Sequence, residues 1–313
     1  MFQTQLYQQY IKPARILLLV LVGSFVFYKL FVAYKFDELY LNYHKEVELG
    51  SWFYPIIALL LMLLNWGLEA GKWRFIINKY EKLSYGIALK AVFSGVTLSI
   101  ITPNQIGDFA GRVLHLQVLD KIKGSLATVI GHTAQVLVTC VFGGYALLFF
   151  SEKYFPSTFL VWIILFALAL LVIGFLFMGV IYRKLTWSKI PDKVKKHIDV
   201  FGDYTPQELA YVFSLSMLRY SVYLIQYFLL LNFYKVEMEP AQAFACIIGT
   251  FLGQSIIPSF LLLEIGLRGA SALWFFTMYS SNVNGILLSA YSLWIVNMLL
   301  PALFGLYYIY KVK

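Results

Sequence analysis

The chain has 313 residues, of which 60% are hydrophobic and 13% charged, with a formal net charge of +9. Soluble domains carry roughly 25% charge; that deficit, a mean hydropathy of +0.74 and several apolar runs of the ~20 residues that cross hydrocarbon define a polytopic membrane protein and exclude a large soluble domain. The positive balance lies in connecting segments, as expected for the cytoplasmic side of a membrane protein, which argues against a nucleic-acid partner.

The first apolar run, Ala14–Tyr34, is long enough to span and lacks a small-residue cleavage site, so it reads as a retained anchor. Further spans are expected at Trp52–Lys72, Ser125–Phe150, Thr158–Tyr182, Gln207–Phe233 and Gly285–Tyr310, about six in all. Glu69, Lys72, Trp73 and Arg74 close the second run and read as an interfacial anchor. Two further regions, Tyr85–Leu116 and Ala241–Phe276, are apolar but interrupted by Pro103 and Pro258. Proline cannot continue a helix without losing a hydrogen bond and clashing one turn back. Each region is therefore a pair of short helices, either re-entrant hairpins or tilted spans; broken backbone at membrane depth survives only inside protein or against a watery cavity.

His132 and Gln135 lie three apart on the Ser125–Phe150 run. His132 is either an interhelical hydrogen-bonding residue or a proton-coupling one. Arg219, on Gln207–Phe233, is either a second anion contact or a residue snorkelling to the inner face. In the polar stretch Arg183–Glu208, Ile190, Val194, Ile198 and Phe201 fall at helical spacing, with Lys193, Lys195, Lys196 and His197 on other faces. That is either a short basic helix on the inner leaflet or a solvated loop. Thr205-Pro206-Gln207-Glu208 has the form of a helix start with a reciprocal cap.

Basic residues crowd the segments around positions 12–15, 72–90, 121–123, 183–196 and 311–313. Both termini are then cytoplasmic, and the two interrupted regions open from opposite sides. They also resemble each other: SIITPNQIGDFAGR (Ser99–Arg112) and SIIPSFLLLEIGLR (Ser255–Arg268) share Ser-Ile-Ile, a proline with a capping residue after it (Asn104, Ser259), and an acid four residues before an arginine. The acids, Asp108 and Glu264, stand half a chain apart. Broken helices in matching positions of two opposed halves mark the midplane binding site of inverted-repeat transporters. The expected fold is thus an all-α polytopic membrane protein, with about six full spans plus two proline-broken hairpins arranged as an inverted repeat. It is one integral membrane domain, 1–313, with half-repeats at about 52–150 and 207–310 and a basic cytoplasmic loop at about 183–206.

New helix N-termini after each proline favour an anion, and Arg112 and Arg268 can grip a phosphate with two hydrogen bonds. Asp108 and Glu264 can hold those guanidinium groups when the site is empty. The candidate substrate-binding set is Arg112, Arg268, Asp108, Glu264, Asn104, Ser259, Pro103 and Pro258, with His132 and Arg219 as further candidates. A pair of salt bridges that only lock two hairpins is the competing reading, against which stands the cost of charge at membrane depth. Cys140 and Cys246 indicate neither a disulfide framework nor a metal site. No ATP-binding, zincin or nucleophile-elbow motif is present, so no cofactor, metal or catalytic residue is expected.

The stretch Pro103, Gly107, Asp108, Arg112 following Trp73-Arg74, and the Pro258–Glu264–Arg268 stretch, make the chain resemble the transmembrane domain of the lysylphosphatidylglycerol synthase family, also described as flippase-like. In the second half the family's Gly-rich turn is replaced here by Ser-Phe-Leu-Leu-Leu. Some members continue into a soluble aminoacyl-transferring domain; this chain stops at Lys313, so it is not expected to make lysyl-lipid by itself. The resemblance implies movement of an anionic, aminoacylated or polyprenyl-phosphate lipid between leaflets of a bacterial cytoplasmic membrane, with an anionic headgroup as partner. The alternative is a non-transporting scaffold for an envelope-lipid enzyme. The sequence does not indicate an oligomeric state.

Overall fold

A computed structural model describes residues 49–102, 105–154, 158–185, 191–256 and 261–311. The Ala14–Tyr34 run, Pro103, Asn104, Pro258 and Ser259 lie outside the described residues, as does the side chain of Glu264. The described residues form helices and no strand. After a 3-10 turn at Leu49–Trp52 come α1 (Phe53–Ile77), α2 (Tyr85–Ile101), α3 (Gly107–Val113), α4 (Lys121–Tyr154), α5 (Thr158–Leu176), α6 (Met178–Lys184) and α7 (Asp192–Ile198). The second half holds α8 (Pro206–Phe233), α9 (Pro240–Ile256), α10 (Leu261–Phe276) and α11 (Val283–Trp294), which runs through a π segment, Ile295–Leu299, into α12 (Leu300–Lys311).

Four helical stretches are long and apolar enough to span: Phe53–Ile77, Lys121–Ser151, Pro206–Phe233 and Val283–Tyr310. A fifth counts if α5 and α6, bent by 69°, form one broken span. These five coincide with five of the six expected runs. Their outward faces are apolar: Leu60, Leu63, Phe159, Trp162 and Phe166 are each at least 60% exposed. In water such faces would forfeit about 25 cal/mol per Å²; in hydrocarbon they are at home. Inside, one core gathers around Trp73, Ile76, Ile130 and Leu209 and another around Tyr227, Leu231, Phe276 and Ile286.

Helix starts are set by local chemistry. Thr205 accepts from the Glu208 N–H while the Glu208 carboxylate accepts from the Thr205 N–H, a full capping box before Pro206. Ser84 and Asn282 cap α2 and α11. Asp120 Oδ1 accepts from the N–H groups of Ile122 and Lys123 at the head of α4.

Contacts at the ends fix how the helices run. Trp52 meets Phe233 at one end of α1 and α8, and Lys79 meets Glu208 at 2.8 Å at the other, so α1 and α8 are antiparallel. The loops after α1 and α3 and before α8 gather at that second end through Lys123–Asp203, His197–Asp120 and Tyr80–Asp203. Glu81 adds a clamp, its carboxylate accepting from the N–H groups of Gln117, Val118 and Leu119. The basic segment does form a short helix, α7, but it continues into a 3-10 turn whose Val200 is fully buried and belongs to the first core.

Between α2 and α3 the chain turns back sharply. Thr102, which precedes Pro103, has the extended backbone that position demands (φ −111°, ψ 142°). Its Oγ1 donates to the Leu98 carbonyl and accepts from the Gly107 N–H at 2.7 Å, tying the end of α2 to the start of α3. Gln105 occupies the left-handed region at φ 57°. With seven residues, α3 is about 10 Å long at 1.5 Å per residue, far short of a bilayer, and it packs along α2. Glycine permits the approach: a Cβ on Gly111 would collide with the Ser94 carbonyl and Gly95 backbone, and one on Gly95 with Asp108.

Candidate functional site

Glu69 stands about 12 Å inside the Ile77 end of α1 at 1.5 Å per residue, and Arg219 about 20 Å from the start of α8. Both helices carry polar groups inward there. Glu69 is 3% exposed and receives three cations: Lys72 Nζ at 2.8 Å on its own helix, Arg112 Nη1 at 2.8 Å from α3, and Arg219 Nη1 at 3.2 Å from α8. Arg112 is held a second time, its Nε lying 2.8 Å from Asp108 Oδ2 one helical turn back. The same Oδ2 meets His132 Nε2 of α4 at 2.6 Å. One chain of charge thus joins four helices, running from His132 through Asp108, Arg112 and Glu69 to Lys72 and Arg219.

Each member has supporting contacts. Lys72 Nζ also donates to the Gly131 carbonyl and Ser216 Oγ. Arg219 Nε donates to Asn65 Oδ1 at 2.8 Å, its Nη1 lies 3.4 Å from Gln135 Oε1, and its guanidinium sits 5.0 Å from the Trp66 ring centroid. His132 leans against the Phe109 ring, 4.9 Å between centroids.

The network lines one wall of a cavity of about 600 Å³ between the two interrupted regions. The first contributes Gln105, Asp108 and Arg112; the second contributes Gln254, Ser255 and Arg268 from α9 and α10. Arg268 Nη1 donates to Gln254 Oε1 at 3.3 Å. The described charges on the wall are four cations (Lys72, Arg112, Arg219, Arg268) against two carboxylates (Glu69, Asp108). The cavity has the size of a small-molecule site, and guanidinium groups of the kind on its wall can grip an anionic group. Among the described residues no three His, Cys, Asp or Glu side chains converge as metal ligands would.

Asp108, Arg112, His132, Arg219 and Arg268, singled out from sequence, all line this cavity. One expectation changes, and one residue of the site was not anticipated. Glu69 and Lys72 are no interfacial anchor: α1 continues to Ile77, with Trp73, Ile76 and Ile77 buried beyond them, and both charges are sealed in the network. Arg74 alone behaves as expected of a span end, donating to the Leu83 carbonyl. The N-cap position of α3 is Ile106, without a side-chain cap, and the Gly107 N–H goes to Thr102; the expected capping residue Asn104 lies outside the described residues. Asn297 was not anticipated: in the π segment, 1% exposed, it lines the cavity with Oδ1 unpartnered. A π turn leaves little trace in sequence, though such turns often mark functional sites.

Helices with lipid-suited outer faces around a sealed, charged midsection define a polytopic membrane protein with an internal anion-compatible site. Across residues 14–305 the chain matches the family described as the lysylphosphatidylglycerol synthase TM region, and it belongs to that family. No curated protein gives a significant match to it. Family membership supports a membrane function connected with lipid.

Proposed function

We propose that the chain is a flippase-like transporter, not an enzyme, that moves an anionic, aminoacylated or polyprenyl-phosphate lipid between leaflets of a bacterial cytoplasmic membrane. The observation that carries the reading is the cavity between the two interrupted regions, lined by Lys72, Arg112, Arg219 and Arg268. The headgroup phosphate would sit against Arg219 and Arg268, with Lys72 and Arg112 behind them, while the acyl chains stay in the bilayer. Charge at this depth is costly and usually functional.

An inverted repeat is supported by element order. In each half a long helix (α1, α8) is followed by a 17-residue helix (α2, α9), a break, a shorter helix (α3, α10) and a closing span. The leading helices of the halves are antiparallel, as a two-fold axis in the membrane plane requires. The two interrupted regions are then re-entrant hairpins opening to opposite sides. The gathering of the basic loops at one end of the bundle supports a cytoplasmic location for that end, and Lys90 over the Tyr308 ring brings the C-terminal helix to it.

The test is a leaflet-exchange assay in proteoliposomes carrying a trace of fluorescent phosphatidylglycerol, with quencher added outside, beside mass spectrometry of co-purified lipid. Arg219→Gln/Arg268→Gln is expected to slow exchange more than tenfold and to lose enriched phosphate-bearing lipid. Wild-type exchange by that variant, or a protein that exchanges nothing and enriches nothing, overturns the reading in favour of a membrane scaffold.

A further inference from the structure

We propose that His132 couples the anion site to protons: the cavity takes up a proton on His132 when an anionic headgroup binds and releases it when the headgroup leaves. This rests on the anion-site reading above and adds to it a source of coupling.

Three observations carry the inference. First, His132 and Arg112 meet the same atom: His132 Nε2 is 2.6 Å from Asp108 Oδ2 and Arg112 Nε is 2.8 Å from it. An ionised carboxylate only accepts, so Nε2 bears the hydrogen in the neutral ring and the lone pair that titrates is on Nδ1. Second, the His132 side chain is 35% exposed, whereas those of Lys72, Glu69, Arg112 and Asp108 are 6% exposed or less and that of Arg219 is 13%. It is the most exposed side chain of the network and lines the cavity. Third, histidine is the side chain whose ordinary titration, near ~6.5, lies in the physiological range.

The charged groups around His132 determine the sign. Asp108 and Arg112 face it from α3, Glu69 and Lys72 stand behind them on α1, Arg219 enters from α8, and Arg268 lies on the same cavity from α10. The titratable Tyr220 and Tyr223 of α8 also line the cavity. Protonated, His132 is a second cation on Asp108 Oδ2 and adds one positive charge to the wall, which favours a bound anion. By linkage the bound anion must favour the protonated ring equally. Affinity is therefore expected to be higher at acid pH than at alkaline pH. Reprotonation from one side and release to the other would let a proton gradient drive headgroup exchange.

The experiment measures binding of short-chain phosphatidylglycerol to the full-length protein in detergent, from about pH 8 to about pH 5.5. Its phosphodiester keeps a single negative charge throughout, so any pH dependence belongs to the protein. Wild type is expected to bind about fivefold or more tighter at the acid end, and His132→Gln, which keeps a neutral donor for Asp108, to show a flat profile. A second measurement uses wild type alone: adding the lipid in weak buffer near pH 7 with an indicator dye should show uptake of a fraction of a proton per lipid bound. Binding with a flat wild-type profile, an unchanged slope in His132→Gln, or no proton uptake overturns the coupling and leaves the anion site standing. No binding at any pH overturns both.

Discussion

Replacing Glu69 by glutamine tests the network at its centre. The change keeps shape and one carbonyl acceptor but removes the charge that meets Lys72 at 2.8 Å, Arg112 at 2.8 Å and Arg219 at 3.2 Å. Asp108 would then be the remaining described carboxylate against two buried cations, Lys72 and Arg112, and the half-buried Arg219. Removing one partner from a buried ion pair costs roughly 3–5 kcal/mol, because the stranded charge keeps its desolvation penalty. Arg112 keeps Asp108, and Lys72 keeps Gly131 and Ser216, so the lower end, about 3 kcal/mol, is expected. A surface anchor at the same position would register about 1 kcal/mol or less.

The assay is equilibrium unfolding in one fixed detergent, for Glu69→Gln, Lys72→Met and the double variant. The Lys72→Met change should cost less in the glutamine background than in wild type, by roughly 1–3 kcal/mol, since it removes a cation that glutamine no longer neutralises. Added salt should leave that coupling intact, because buried pairs are poorly screened. A single variant within about 0.5 kcal/mol of wild type, as surface substitutions usually are, would refute the reasoning.

Two further expectations concern the frame around the site. Gly111→Ala puts a methyl group into the Ser94 carbonyl and the Gly95 backbone; overpacking of that kind costs roughly 1–3 kcal/mol and shifts the short helix bearing Asp108 and Arg112, so stability and lipid retention should fall together, and a neutral substitution would show that the two helices are not in close contact. For Glu81, burial pushes the carboxyl up, but the N–H groups of Leu119, Gln117 and Val118 outweigh it and hold it below its ordinary 4.5. A depressed acid stabilises fully above the unfolded value and loses that stabilisation as pH falls through the folded one, so amides 117–119 should exchange slowly down to that range and faster below it, whereas Glu81→Gln should exchange fast throughout; equal exchange in the two proteins would sink the clamp.

How much of this was legible follows from what one dimension can carry. Apolar runs are readable because lipid demands an unbroken apolar outer face, and five of the six expected runs coincide with described helical stretches. Asp108 and Arg112 were readable because four residues make one helical turn, and their 2.8 Å contact is that turn closed. Glu69 and Lys72 were misread because a charge three residues before Lys-Trp-Arg looks like the end of a span. Only the packing of Trp73, Ile76 and Ile77 shows that the helix continues and the charges are deep. The partners of Glu69, Arg112 and Arg219, lie 43 and 150 positions away from it, and no periodicity encodes such a meeting. Thr102 was hidden for a different reason. Its hydrogen bonds to Leu98 and Gly107 exist only once the chain has turned back.

The geometry also ranks the arginines within the proposed transporter. Arg112 is 3% exposed and bridges two carboxylates at 2.8 Å each; an incoming phosphate would have to replace both. Arg219 has one carboxylate, Glu69, at 3.2 Å, a longer contact to Gln135 at 3.4 Å, and a more open side chain. Its guanidinium also rests on the Trp66 and Tyr223 rings, at 5.0 and 5.6 Å, which can support it while the carboxylate is exchanged for phosphate. Arg268, across the cavity, donates to Gln254 Oε1 at 3.3 Å. The first half of the chain supplies Arg112, fixed between acids, as the element that holds the site's shape. Within the proposed transporter, the cation of the described network best placed to change partners is Arg219, and it belongs to the second half, on the helix that leads its own break.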